Sequence, residues 1–326
     1  MSPKISVIIP LYNAEKYIRE CLISVLASKF QDYEVLVVDD CSTDNSLDEV
    51  KKLLPHFDGR LKILSTEKNS GGPGLPRNTG IKNALGKYIT FIDNDDLILP
   101  DALENFFAVA EKFNADVVYT EKYFVSDDKV NGKNLKVRLA GAVEDLVDEP
   151  TSIPFYERIQ RDLAGKFIIA PWGKLYRRDF LIENKIGFPQ IRFAEDVMFC
   201  FKCLCLAKNF ILTPHITNIH RALAGSAARM IIDSREGVRV WLKILTENIF
   251  ELATFLDVLE LQFEIRRAVL KFYINKHFEM IKNLFEGVPP HEVQKIFFEE
   301  LQSPTLNPMG KILVETYLYT ERTLTR

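Results

Sequence analysis

The sequence predicts an α/β protein: a Rossmann-like, mostly parallel sheet flanked by helices, followed by an all-helical appendage. Three observations predict it. Short β-branched runs (ISVII, EVLVV, KYITFI) alternate with stretches whose apolar residues recur every three or four positions. Acidic and polar clusters fall at the ends of those runs, and from about Ser234 onward only the helical period remains.

Ile5 to Ile9, stopped by Pro10, suits a strand buried on both faces. Asn13 is placed to cap a helix carrying Tyr17, Ile18, Cys21, Leu22, Val25 and Leu26 on one face. Glu34 to Val38 is the second strand and closes at Asp39-Asp40. Leu47, Val50, Leu53 and Leu54 mark the next helix, and Leu61 to Leu64 the third strand. After a Gly- and Pro-bearing loop from Asn69 to Arg77, a helix carries Ile81, Ala84 and Leu85. Lys87 to Ile92 is then the fourth strand, ending at Asp93. Leu103 to Lys112 reads as a helix and Val117 to Thr120 as a strand. Ser126 to Thr151 carries no assignment beyond a turn at Lys129 to Lys133.

Two regions are expected, 1–233 and 234–326, with the first divided near 125/126. In the second, Val238, Leu242 and Leu245, then Ile249, Leu252 and Leu256, then Val269, Phe272 and Tyr273 keep helical spacing. Gly287 to Pro290 and Ser303 to Pro308 interrupt it by lost donors and restricted φ.

Composition narrows the function classes. With 326 residues, 47% hydrophobic and 27% charged, the chain is long enough for a large core and an attachment. A net charge of -3 argues against a nucleic-acid partner, which demands a dense basic field. The 5 cysteines are an odd count, and Cys200, Cys203 and Cys205 crowd one apolar stretch. That spacing offers no four-ligand zinc set, so buried thiols in a reducing cytoplasm are expected. Lys202 and Lys208 interrupt the most apolar stretch, and Lys4 leads straight into a strand without a signal-peptide h-region. Membrane contact is therefore expected to be peripheral at most.

The chemistry concentrates at Phe91-Ile92-Asp93-Asn94-Asp95-Asp96, a strand ending in three carboxylates. Like charges this close repel unless a cation sits among them, and hard divalent ions combine one or two carboxylates with substrate phosphates. An acidic turn with Asp96 capping the next helix is the plainer alternative.

ISVIIPLYN, VLVVDDCSTDNS, GLPRNTGI, KYITFIDNDDLILPDAL and RFAEDVMF, in this order, resemble family 2 of the glycosyltransferases over about the first two thirds of the chain. The resemblance implies a GT-A fold and an inverting sugar transfer. The donor would be a nucleoside diphosphate sugar, usually a UDP-sugar, with Mn²⁺ or Mg²⁺ as cofactor. It further implies a glycan or lipid-linked glycan acceptor and a place in bacterial surface polysaccharide synthesis, of capsule or lipooligosaccharide, at the inner face of the membrane. By the same resemblance Pro10 and Tyr12 wall the base site, Asp40 bonds the base, Arg77 faces the donor, and Asp93 lies near ribose or metal. Asp95 is the metal ligand, Asp196 the general base, and Glu195 its support or an acceptor contact. Trp172, in APWGKLY, is by the same resemblance an acceptor-side or supporting residue whose ring suits stacking on a sugar face, and His220 is a supporting residue toward metal or phosphate.

Each assignment has a structural alternative: core packing for Tyr12 and Trp172, helix capping for Asp39 and Asp40, and a surface salt bridge for Arg77. For Asp196 it is a charge favoured by a helix dipole, and for His220 a structural role. A non-catalytic nucleotide-sugar binder that scaffolds a partner is the other functional class. A nucleotidyltransferase would show a Gly-rich loop after the first strand, and PLYNAEKY has none. Self-association through the C-terminal helices stays open.

Overall fold

The computed structural model describes residues 2–126, 135–139, 149–190, 194–221, 234–283 and 289–324, and statements of absence below refer to these. The expected turn at Lys129 to Lys133, Arg192 and Phe193 of RFAEDVMF, and the first side of the expected 233/234 boundary lie outside them. The chain forms two compact units, Met1–Leu223 and Ala224–Arg326.

In the first unit, strand β1 (Ile5–Leu11) is buried at every position, as is β2 (Tyr33–Asp39). They alternate with α1 (Ile18–Leu26), α2 (Ser46–Leu53), β3 (Leu61–Ser65), α3 (Gly74–Asn83) and β4 (Tyr88–Phe91). β1 pairs in parallel with β2 on one side and β4 on the other, while β2 pairs in parallel with β3. The resulting order β3-β2-β1-β4 reverses direction between β1 and β4. That is a topological switch point, where the loops beyond the strand ends separate and leave a crevice for ligand.

Then follow β5 (Leu97–Ile98), α4 (Ala102–Phe113), β6 (Val117–Thr120), β7 (Lys122–Ser126), β8 (Leu135–Leu139), β9 (Thr151–Ser152) and α5 (Phe155–Leu163). The unit ends with β10 (Lys174–Arg177), α6 (Arg178–Glu183), α7 (Glu195–Leu206), β11 (Phe210–Thr213) and β12 (Asn218–Arg221). Among the described residues the main sheet has 8 strands in the order β3-β2-β1-β4-β10-β6-β11-β9, and β10 runs antiparallel to both neighbours. A second sheet of 4 strands, β5-β12-β7-β8, brings β12 beside the end of β4.

The core is apolar where the alternation predicts it. Val7, Ile9, Val35 and Val37 from the sheet meet Leu22, Val25 and Phe106 from the helices. Each such side chain contributes about 1.5–3 kcal/mol on burial. On the opposite face, a Cβ on Gly80 of α3 would run into the Ile8 side chain, so this glycine sets how closely α3 lies on β1.

Three local expectations are corrected. Pro10 lies within β1 rather than ending it. Its carbonyl accepts from Asn94 Nδ2 at 2.9 Å on the β4 side, where β4 has already stopped at Phe91, so the missing N–H breaks no ladder bond. Asn13 caps no helix: α1 starts after Tyr17 without a side-chain cap, and Asn13 takes a left-handed φ of 46° in the preceding loop. Finally, Arg77 is inside α3. Pro73 and Pro76 fall at the cap and in the first turn, where a helix has no use for their absent N–H groups.

The second unit contains α8 (Ser234–Val258), α9 (Phe263–Asn283), α10 (Pro290–Leu301) and α11 (Pro308–Leu324). Val238, Leu242, Leu245, Ile249, Leu252 and Leu256 are buried along α8, and proline opens both α10 and α11. At Gly310, α11 meets the backbone of α8, for a Cβ there would overlap the Thr246 carbonyl. Gly310→Ala should therefore lower stability by about 3 kcal/mol, read as the shift in denaturant unfolding. An unchanged midpoint would mean that the two helices do not cross at this residue. No described helix is long and apolar enough to cross a membrane.

Candidate functional site

The loops after β1 and β2 are laced together. Asn13 N–H donates to Ser42 Oγ at 3.1 Å, Thr43 N–H to Asn13 Oδ1 at 2.8 Å, and Ala14 N–H to Ser46 Oγ at 2.7 Å. Tyr12, 47% exposed, stands outside this lacing and is not a core residue. Asp40 is buried at the end of β2. Its carboxylate accepts from Thr66 Oγ1 at 2.7 Å, from Ser70 N–H at 2.9 Å and from Ser70 Oγ at 2.9 Å. Neither Asp39 nor Asp40 caps a helix. Asp39 accepts from Ser42 N–H at 3.2 Å, while Asp40 orders the 66–70 loop, a role that the expected bond to a base did not include.

Arg77 is 3% exposed and ties two segments together. Its Nη2 donates to Asp93 Oδ1 and its Nη1 to Glu195 Oε1, each at 2.7 Å, and the guanidinium lies 5.2 Å from the Phe188 ring centroid. The surface salt bridge is thus replaced by a buried double one, and the side chain expected to face the donor is committed to two carboxylates of its own chain. Gly74, one turn earlier, makes room: a Cβ there would stand 3.3 Å from Glu195 Cγ and 3.2 Å from the Pro189 carbonyl. Asn78, one residue on, pairs reciprocally with Phe188, donating to its carbonyl at 2.8 Å and accepting its N–H at 2.8 Å. Sequence reasoning missed Asn78, because its partner lies 110 residues away.

The acidic end of β4 divides by role. Asp93 meets Arg77. Asp96 is 0% exposed, accepts the Arg221 N–H at 2.9 Å and bonds His220 Nδ1 at 3.0 Å. It caps nothing, and the segment after it is strand β5. His220 lies flat on Trp172, with centroids 5.6 Å apart and planes at 14°, and Tyr123 meets the indole edge-on at 5.1 Å. Trp172 is consequently a packed support rather than an open platform for a sugar, and with Nδ1 held by Asp96 the His220 ring keeps Nε2 as its other polar atom.

Burial, reinforced by the charges of Asp96 and Asp93, pushes the Asp95 carboxyl up to about 7. A carboxylate raised by like-charged neighbours is relieved by a cation, so the residues present fit a hard divalent ion. Among the described residues no three His, Cys, Asp or Glu side chains form a complete cage, so ligand oxygens would have to finish the shell.

Glu195 and Asp196 open α7, where the unpaired N–H groups and the helix dipole favour negative charge. Ala194 before them takes a left-handed φ of 60°, a conformation costing an L-residue about 1–2 kcal/mol. Burial, then repulsion from Asp196, pushes Glu195 up to about 7 against the pull of Arg77. Burial also raises Asp196, opposed by Arg77 and reinforced by Asp93. Cys200, Cys203 and Cys205 behind them are buried free thiols, and burial raises Cys200 to about 12.

The structure therefore brings Arg77, Asp93, Glu195 and Asp196 into one electrostatic group, and Asp95, Asp96, His220 and Trp172 into a second that shares the 93–96 turn. Asp40 and Tyr12 stand across the end of β1, with Asp40 N–H bonded to the Leu11 carbonyl at 2.8 Å.

Strand-end carboxylates gathered at the switch point of a mostly parallel sheet with helices behind it accord with the GT-A type of glycosyltransferase fold, the fold of the similar TarS structure. Residues 6–184 match the Glycosyl transferase family 2 profile, and the chain belongs to that family. It is 31% identical over 283 residues to the poly(ribitol-phosphate) beta-N-acetylglucosaminyltransferase TarS of Staphylococcus aureus, covering 84% of this chain and 44% of that protein. It is 34% identical over 210 residues to the poly(ribitol-phosphate) beta-glucosyltransferase of Bacillus spizizenii, covering 63% of this chain and 30% of that one. The chain thus spans less than half the length of these two relatives. The crystal structure of S. aureus TarS 1-349 in complex with UDP-GlcNAc matches with a TM-score of 0.66 and 28% identity, over 91% of this chain and 79% of that one.

Proposed function

We infer that this chain transfers a sugar from a UDP-sugar, with inversion, to a hydroxyl of a bacterial surface polymer, assisted by Mn²⁺ or Mg²⁺. One observation carries the reading. Arg77 joins Asp93, at the strand end suited to a diphosphate and its cation, to Glu195, beside the carboxylate suited to activate a hydroxyl. The UDP-GlcNAc complex of TarS supports a UDP-sugar donor, and the names of the relatives support a polyol-phosphate polymer as acceptor class. Capsule and lipooligosaccharide remain within the same reading.

In this scheme Tyr12 offers a ring face to the base. Asp95, with Asp93, would hold the cation, which when bound offsets charge on the departing diphosphate. Asp196 takes the proton of the attacking hydroxyl, the step in which a positioned carboxylate acts as general base. Arg77 keeps Glu195 and Asp93 in place around it, so base and donor are held at a fixed separation.

A panel of nucleotide sugars incubated with Mn²⁺ or EDTA, scored by released nucleoside diphosphate, tests this. Release from one UDP-sugar that stops on chelation and returns with Mn²⁺ is expected. Release indifferent to EDTA would remove the cation from the scheme. Binding of UDP-sugar without release, across sugars and polymer acceptors, would leave the non-catalytic binder standing.

A further inference from the structure

Lys174, the first residue of β10, is 1% exposed, yet among the described residues it forms no ion pair. Its Nζ donates to the carbonyls of Ile168 at 2.8 Å and Ala170 at 2.6 Å, and it lies 4.9 Å and 5.0 Å from the ring centroids of Tyr119 and Phe167. An ammonium taken out of water without a carboxylate is unfavourable, so its hydrogen bonds and ring contacts must offset that loss. Two tyrosines work on the same stretch of backbone. Tyr119 Oη accepts the Ile168 N–H at 2.9 Å and donates to the Lys166 carbonyl at 3.2 Å, and Tyr176 Oη donates to the Pro171 carbonyl at 3.1 Å. Side chains from β6 and β10 thereby hold the backbone of residues 166–171 from beneath.

The next residue along that backbone is Trp172, which lies flat on His220, and His220 is bonded to Asp96. A mechanical connection thus runs from Lys174 through the loop and the stacked rings to the strand-end carboxylates. We propose that Lys174 is a positioning residue: its buried ammonium fixes the 168–171 backbone so that Trp172 holds His220 in register with the Asp93–Asp96 turn. The proposal rests on reading that turn as the reaction centre.

Lys174→Met keeps most of the side-chain volume and removes both the buried charge and its donors. Replacing a buried charge by an apolar group offsets part of the damage to stability, whereas nothing replaces the grip on the loop. The chain has 2 tryptophans, so in a Trp241→Phe background Trp172 is the sole reporter. The expected result is a cooperatively folded Lys174→Met protein whose Trp172 is quenched several-fold more readily by acrylamide. Its UDP affinity should stay within about twofold, and kcat for UDP release should fall about ten- to hundredfold, as misplaced reacting groups produce.

Unchanged quenching, with or without a loss of activity, overturns the proposal. If Lys174→Met does not fold, Lys174→Gln, which retains amide donors, is read in the same way, and failure of both to fold assigns Lys174 to stability alone and overturns it too. If no nucleotide sugar is turned over by the parent protein, the transferase reading falls, while the quenching still decides whether Lys174 positions the loop.

Discussion

Asp196→Asn should lower sugar transfer by about a thousandfold while leaving UDP affinity within about twofold of the parent protein. The amide keeps the shape of the carboxylate at the N-terminus of α7 but cannot accept the hydroxyl proton. In the proposed scheme Tyr12 and Asp95, which would serve the nucleotide and the diphosphate, are left untouched. The pH dependence supplies the sign. A general base works only when ionised, and burial raises the Asp196 carboxyl above its ordinary range. Activity should therefore fall as the pH drops through a value higher than that of a solvent-exposed Asp, with Glu195, raised to about 7, titrating close by. An Asp196→Asn protein that turns over at the parent rate would assign the proton transfer to another group.

Arg77→Met should be the most destabilising single change in the site. It leaves Glu195, buried, and Asp93, partly buried, without their shared cation. Breaking a buried ion pair from one side costs about 3–5 kcal/mol, and the exposure of Asp93 places this case toward the lower figure. Urea unfolding measures it. Adding Glu195→Gln to Arg77→Met should recover part of the loss, since the more deeply buried stranded charge is then gone. If the double variant is no more stable than the single one, the cost lies in lost packing against Phe188 instead. Transfer activity should be lost in both.

The alternating first part of the chain was legible because β1, β2 and β4 are buried on both faces and so are written as uninterrupted β-branched runs. What escaped has physical reasons. β5 and β9 are two residues long, too short for any period to register. β10 begins with Lys174 after Gly173, and a lysine at the buried head of a strand runs against the compositional cues. The first turn of α3 was read as loop because its prolines stand where a helix tolerates them, so the rule that proline breaks helices placed its start after Arg77.

The site was legible by charge and not by partner. Carboxylates at a strand end stand out, which singled out Asp93 and Asp95, whereas Asp196, in the first turn of α7, was assigned through the resemblance of RFAEDVMF alone. Asp96 and His220 are 124 residues apart, and Arg77 and Glu195 are 118 apart, so only the folded chain shows that one pair buttresses a ring and the other binds two segments. Lys174 and Asn78 fell inside the motifs APWGKLY and GLPRNTGI but were given no role of their own, since a single polar residue near an apolar run ordinarily faces water.

The Asn78 side chain offers Phe188 a carbonyl and an N–H at the spacing a neighbouring peptide unit would. A helix residue thereby imitates the edge of a strand, and the chain at Phe188 is registered by one amide instead of a ladder. Asn78→Asp would abolish half of that mimicry and Asn78→Leu all of it. The position of the chain at Phe188 is in this sense set by one side-chain amide, carried by α3, the helix that also holds Arg77.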